Sequence, residues 1–420
     1  MTEQNQGGGC LLFLIDWIVG IFQNRKIQQY NQQSRGLAEY SSISTDTLFP
    51  NESYQESIIV SGGDTSVRLR FNDQIINNCH NNGQVMIILH LTNNGLENII
   101  TTNNLGVVVN KNNKLFDAFT YFNLQEITQI VLDTCKSKYD IKPSGRYILQ
   151  IVHELLLSQN IRPYFSNYAN ISYHQLSNLI NDCLIQGFIN QSKANDLNAL
   201  LMMGQSECSK IDSFFYDAKA QMKHIATDNA NNTGGVSILS AIKKEKILCI
   251  DLNSSANTML IELIVNSIVI AMNRGYDFSF FLDDVAIANN EMLKNALCHK
   301  SKHNNIICSQ DLYALLGGKD DVFSTIVGVT DKTVLLTHGS HLSCEKWSKY
   351  FGEYDKKDVE SNSTGGWGQS NRWWYTSNYG KRVANKREYK IKPEQINRLK
   401  QNEVFVYDNQ SGNLIQTKVV

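Results

Sequence analysis

The chain has 420 residues, 42% of them hydrophobic and 10% aromatic, which exceeds the usual size of one hydrophobic core and excludes a disordered or fibrous protein. Lys and Arg total 39 against 40 Asp and Glu, so the net charge is -1 and no global basic field draws in nucleic acid or an anionic membrane; any such partner must meet a local patch. Nine cysteines stand singly, without a CxxC pair, which argues against a secreted disulfide framework and for a cytoplasmic protein, with the inner face of the cell membrane as the further expectation.

Residues 10–22 are apolar apart from Asp16, and Arg25 and Lys26 follow. A spanning helix wants about 20 apolar residues, and a signal peptide puts its positive charges before the apolar run. The segment therefore reads as an interfacial anchor or a partner-binding helix centred near Trp17, against the plainer expectation of a helix packed on the body of the protein. Residues 23–56 are polar and read as a linker.

The texture then changes. Ser57-Ile58-Ile59-Val60 predicts a short buried strand that stops at Ser61-Gly62-Gly63-Asp64-Thr65-Ser66. Helical spacing from Val67 to Asn78 and a second apolar run, Val85 to Leu89, complete a βαβ unit, which implies a parallel sheet with the turn at its carboxyl edge. Between residues 120 and 225 the pattern predicts amphipathic helices over Leu124–Cys135, Tyr147–Ser158, His174–Phe188 and Lys210–Ile225, an all-helical insertion. Strand patterns return at Ile247–Leu252, at Phe278–Asp284 after a long apolar helix (Thr258–Asn273), and around Ile306–Cys308 and Thr333–Leu336.

Two places on that sheet carry candidate chemistry. Gly62 and Gly63 would free backbone amides for a phosphate, a helix follows, and Thr65 or Ser66 could offer a hydroxyl to magnesium. The pattern GxxxxGK[ST] is absent, however: no lysine reaches the outer phosphates, the nearest cation is Arg68 inside the helix, and Asp64 is negative, so an ordinary Gly-Gly-Asp turn competes with this reading. The apolar strand Phe280-Phe281-Leu282 ends in Asp283 and Asp284, the layout that holds a magnesium ion and a general base at the carboxyl edge of P-loop proteins. The plainer role for Asp284 is to cap the next helix.

Cys298, His299, His303 and Cys308 lie close in sequence, as do His338, His341 and Cys344, but nothing in their setting converges three or four ligands, so both groups read as structural. Trp347, Trp367, Trp373 and Trp374 crowd the C-terminal region, where Arg372, Lys381 and Arg382 interleave with Tyr375 and Tyr379. Aromatics alternating with cations suit single-stranded nucleic acid, and equally suit a protein interface. The stretch from Glu360 to Lys386 reads as a long surface loop.

From about Ser57 onward the chain resembles the cytoplasmic ATPase of type IV coupling proteins, the TraG/TraD-like family. The resemblance lies in Phe281-Leu282-Asp283-Asp284, in Lys300-Ser301-Lys302 followed by a strand and Gln310, and in Lys392-Pro393-Glu394-Gln395-Ile396 and Glu403 to Tyr407 near the end. It implies an α/β, P-loop NTPase-like (RecA-like) parallel sheet flanked by helices, with an all-α insertion. The domains expected are an N-terminal segment (1–50), a nucleotide-binding-type domain (51–140 with 226–420) and the insertion (141–225). By the same resemblance Asp283, Asp284 and Gln310 are the catalytic set, with Asp283 on magnesium if nucleotide binds. Gly62, Gly63, Thr65 and Ser66 would hold ATP, and Lys300 and Lys302 would act in trans.

Three departures stand out: no phosphate-loop lysine, Asp in place of Glu as the second acid, and Lys300 and Lys302 in place of arginines. The expectation is a coupling-protein-like component with weak or absent ATP hydrolysis that recruits or delivers DNA or protein to a conjugation or secretion channel. Its partners would be the secretion machinery and other copies in a ring or a related ATPase, with residues 10–22 as the peripheral membrane contact and Arg372, Trp373, Trp374, Lys381 and Arg382 as the nucleic-acid or partner contact. The alternative is an active ATP-driven translocase.

Overall fold

The computed structural model describes residues 7–136, 138–169, 171–227, 235–254, 256–287, 291–298, 304–367 and 375–420. In chain order the regular elements are α1 (Gly7–Arg35), β1 (Leu37–Glu39), α2 (Thr45–Leu48), β2 (Ile58–Ser61), α3 (Thr65–Asn81), β3 (Met86–His90), α4 (Asn94–Thr102) and β4 (Gly106–Val109). The helical run is α5 (Leu124–Cys135), α6 (Gly145–Ser158), α7 (Tyr173–Ile185), α8 (Gln191–Gly204) and α9 (Cys208–Met222). Then follow α10 (Ile238–Lys243), β5 (Ile247–Asp251), α11 (Thr258–Asn273), β6 (Ser279–Asp283), α12 (Glu291–Cys298), β7 (Asn304–Ser309), α13 (Leu312–Leu315), α14 (Asp320–Val329) and β8 (Lys332–Leu335). The chain closes with α15 (His341–Phe351), β9 (Glu353–Trp367), β10 (Tyr375–Tyr389), α16 (Pro393–Asn397), β11 (Glu403–Asp408) and β12 (Asn413–Lys418).

Contacts divide the chain into two units, Ser44–Val334 and the remainder on either side. In the first unit the strands lie in the order β8-β2-β7-β6-β3-β5-β4. Every pairing from β2 to β4 is parallel. Helices cover both faces of such a sheet, so β2, β3, β5 and β6 are buried at every position, which is why they appear in the sequence as continuous apolar runs. The register then aligns their polar last residues: His90 pairs with both Asp251 and Asp283, Asp283 with Cys308, and Ser61 with Ser309.

The helical run between β4 and β5 packs around Phe119, Phe165, Tyr168 and Phe215, with ring centroids 5.1–6.2 Å apart. Asp117 ties this core to the sheet domain. Its carboxylate accepts N–H bonds from Phe119, Thr120 and Phe165, each at 2.9 Å, which repays its burial.

In the second unit β1 pairs parallel and β11 antiparallel with β12. Helix α1 continues to Arg35 through residues that read as linker, and the expected loop between Glu360 and Lys386 is instead largely two 15-residue strands, β9 and β10, in one antiparallel ribbon. The ribbon pairs residue for residue from Glu353 with Tyr389 to Trp367 with Tyr375, without an apolar face to announce it. Trp347 is buried, stacked on Phe351 at 5.9 Å, and so belongs to the core and not to a base-stacking surface. Among the described residues no helix is long and apolar enough to cross a membrane.

Candidate functional site

The turn after β2 sits at the carboxyl edge, as the βαβ pattern predicts, beside the ends of β6 and β7. Only Gly62, Gly63 and Asp64 separate the strand from α3. Both glycines adopt positive φ, +99° and +65°, a conformation that costs an L side chain about 1–2 kcal/mol. The Gly62 amide is already spent on the Ser309 carbonyl at 2.9 Å.

Arg68, on the first turn of α3, fills the space beneath this turn and is 1% exposed. Its Nη1 donates to the Gly63 carbonyl at 2.8 Å, its Nη2 to Asp284 Oδ2 at 2.5 Å and, more weakly, to Thr65 Oγ1 at 3.4 Å. Asp284 is held from the other side, since the Gln310 amide donates to its Oδ1 at 2.7 Å. Asp284 itself has φ +52° and anchors its amide on the Cys308 carbonyl at 2.9 Å. Gly63, Thr65, Arg68, Asp284 and Gln310 thus meet in one hydrogen-bonded group. Ser66 is exposed and lies outside it.

Asp283 lies deeper and is 2% exposed. Burial pushes its carboxyl above the ordinary range, opposed by the Asn93 side chain, whose Nδ2 donates to Asp283 Oδ2 at 2.7 Å. Oδ1 has no hydrogen-bond partner. Asn93 is also the N-cap of α4, its Oδ1 accepting the Leu96 amide at 3.2 Å. Its own amide donates to His90 Nδ1 at 3.0 Å, so the remaining ring nitrogen, Nε2, faces Glu97 Oε1 at 3.6 Å. Burial takes the His90 pKa down to about 4, and it holds the Glu97 carboxyl up, against the Asn110 amide that donates to it.

The arrangement departs from a lysine-bearing phosphate loop: the Gly62 amide is spent on Ser309, the Gly63 carbonyl and Asp284 hold the guanidinium of Arg68, and both oxygens of Asp284 are engaged, while Asp283 Oδ1 has no hydrogen-bond partner and Ser66 is exposed. No group of three His, Cys, Asp or Glu side chains that could hold a metal ion occurs among the described residues. Burial pushes the Cys308 thiol well up. His338 Nδ1 sits 2.9 Å from the Leu336 carbonyl, and Cys344 Sγ faces the His338 carbonyl.

Lys300, Lys302, Arg372, Trp373 and Trp374 lie outside the described residues, as do His299 and His303; Lys381 and Arg382 belong to β10. The sequence reading left out Asn93, His90 and Glu97 and discounted Arg68. Their signal was faint: polar residues closing an apolar strand, and a cation one helical turn past a Gly-Gly turn.

The fold matches solved structures. The bacterial conjugative coupling protein TrwBdeltaN70, in a trigonal form with sulphate, aligns with a TM-score of 0.56 at 14% identity over 90% of this chain and 88% of that one. The plasmid coupling protein TrwB in complex with the non-hydrolysable ATP analogue ADPNP aligns at 0.53 with the same identity and coverage. The chain has the coupling-protein fold. It is a mixed α/β fold with a mostly parallel, P-loop NTPase-like sheet, and another TrwB structure with ADP and Mg2+ aligns at 0.50 and 13% identity. No family profile and no curated protein matches the chain.

Proposed function

We propose that this chain is a coupling-protein-like component that recruits or delivers DNA or protein substrate at a conjugation or type IV secretion channel, with little or no ATP hydrolysis. One observation carries the second half of that reading: the Arg68–Asp284 ion pair stands under the phosphate turn, joined to the Gly63 carbonyl. An active loop presents amides and a mobile lysine to the phosphates. Here Arg68, the cation nearest the turn in sequence, is paired with the acid that would otherwise orient water. Both oxygens of that acid are already engaged, one by Arg68 and one by the Gln310 amide.

In this reading Asp283, Asp284 and Gln310 keep the catalytic positions without the catalytic chemistry, and Gly62, Gly63, Thr65 and Ser66 form a turn that nucleotide enters weakly. Lys300 and Lys302 would face a neighbouring copy in a ring or a related ATPase. Arg372, Trp373, Trp374, Lys381 and Arg382 would contact the strand or a partner. Residues 10–22 would place the protein at the cytoplasmic face of a membrane. Release of phosphate from ATP with magnesium is the test. Turnover well below about 1 per second is expected; a rate in the ordinary enzymatic range would overturn the reading.

A further inference from the structure

Two adjoining concavities mark a second site, away from the phosphate turn and at the joint between the sheet domain and the helical insertion. One, of about 420 Å3, is lined by Lys111, Lys114, Lys223 and His224 with Asn253 and Asn257 among its amides. The other, of about 410 Å3, shares Lys223 and Ala220 and adds Lys219 and Tyr216.

Tyr216, Lys219, Ala220 and Lys223 are spaced i, i+3, i+4 and i+7, one exposed face along α9 and its C-cap, with Tyr216 70% exposed. Charge on this helix is segregated. Asp212 accepts the Ile171 amide at 2.9 Å, and Asp217 is taken by Lys138 and Tyr139. Lys111, Lys114, Lys219 and Lys223 have no ion pair among the described residues. Among the described residues one acid lines either concavity, Asp117, which is 2% exposed and consumed by amide bonds; Glu97 is the carboxylate that feels Lys111. His224 turns both ring nitrogens to backbone carbonyls, of Gln221 and Asp251, so it walls the site and offers no donor to it.

The placement is fixed by backbone. Phe116 bridges to Ala226 and Val236, its amide donating to the Ile225 carbonyl at 2.9 Å, which brings the Lys111–Lys114 turn beside the end of α9.

We propose that this face binds phosphate groups, with Lys114, Lys219 and Lys223 as the contacts and Tyr216 as a stacking surface. Four lysines without an ion pair among the described residues, spread over two concavities, suit phosphates in series, so the ligand favoured is a single nucleic-acid strand, in which bases stack on an aromatic ring while lysines follow the backbone. The choice of a strand over a free nucleotide rests on the recruiting role proposed above; the charge arrangement does not.

The test uses the full chain and a labelled single-stranded oligonucleotide, titrated across salt. The triple variant Lys114→Gln, Lys219→Gln and Lys223→Gln should bind about tenfold or more weakly, with the slope of log affinity against log salt smaller by about 2, since each lost phosphate contact removes about 0.7. Lys210→Gln, whose cation is already paired with Glu207, should bind like the parent protein. Absence of binding at low salt, or an unchanged slope in the triple variant, overturns the proposal. Affinity that rises with oligonucleotide length and falls in Tyr216→Ala identifies the strand. Equal affinity for a nucleoside triphosphate, still lost in the triple variant, identifies a free nucleotide at the same lysines. ATP turnover is read separately, so vigorous hydrolysis with lysine-dependent binding would overturn only the preceding reading.

Discussion

The guanidinium of Arg68 lies 2.5 Å from the carboxylate of Asp284, and the amide of Gln310 holds the other oxygen of the same carboxylate at 2.7 Å. The cation is 1% exposed while the acid's side chain is 33% exposed, so removing the acid strands a buried charge. Asp284→Asn should therefore destabilise the protein by about 3 kcal/mol, the low end for breaking a buried pair because the acid is partly solvated. Replacing both partners, Arg68→Met with Asp284→Leu, should cost less than Asp284→Asn alone. Urea unfolding of the three proteins checks the order; equal midpoints for Asp284→Asn and the parent would show that the pair contributes nothing.

A second dependence runs through Asn93. Its side chain caps α4 and holds Asp283 at once, so Asn93→Ala should lose about 1 kcal/mol for the cap and about 1–3 kcal/mol for the buried carboxyl oxygen left behind. Asn93→Asp keeps a capping oxygen but sets a carboxylate against Asp283. Denaturant midpoints should fall for both, and only the aspartate variant should recover part of its stability on acidification, when one of the two carboxyls is protonated.

How far the sequence carried depended on where the burial lay. Strands β2, β3, β5 and β6 were legible because burial on both faces makes them short continuous apolar runs, and the acids at the end of β6 stood out against that background. The ribbon of β9 and β10 was not, because its register is set by backbone pairing between two polar segments rich in Asn, Ser, Gly and Lys. The first half of α1 announced itself by its apolar run, while its second half, Gln23 to Arg35, has too few apolar residues to show a helical period. The role of Arg68 was invisible for a different reason: it depends on β2 and β6 standing two strands apart in the sheet, with β7 between them, a fact of topology that no local pattern encodes. Composition bounded the charge balance correctly but said nothing about where unpaired lysines gather.

His90 makes stability depend on pH. It is fully buried, and burial lowers its pKa from 6.5 to about 4, with Asp251 pulling the other way. Between those values the unfolded chain binds the proton and the folded protein does not, so this stabilisation is present above about pH 6.5 and is lost as pH falls toward 4, by roughly 3 kcal/mol in all. Asp283 and Glu97, both raised by burial, have the opposite sign: their contribution is present at acid pH and is lost as pH rises through their folded values, which blunts the low end of the window. His90→Gln should flatten the dependence of the melting temperature on pH between 4.5 and 6.5. An unchanged slope would mean that His90 is not the group responsible.

The second unit supplies the last prediction. Asn31, near the end of α1, donates from Nδ2 to the Lys357 carbonyl at 3.0 Å and accepts the Lys357 amide on Oδ1 at 2.8 Å, so a side-chain amide pairs with β9 as another strand would. Lys357 returns the contact by placing its ammonium 3.8 Å from the centre of the Tyr30 ring. One helical turn on, Arg35 reaches the Lys390 carbonyl and Gln395, which pins the helix end to the base of the same ribbon. Asn31→Ala removes both amide bonds and leaves the Lys357 backbone groups to water, at a cost of about 1–2 kcal/mol. Asn31→Leu, which fills the space without restoring the bonds, should be no better. Because the Arg35 contacts remain, the loss should appear locally, as faster amide exchange at Lys357 and along α1 before Arg35, while exchange in β11 and β12 stays as it was. Uniformly faster exchange across the unit would instead mean that Asn31 supports the whole fold and not the seam between α1 and β9.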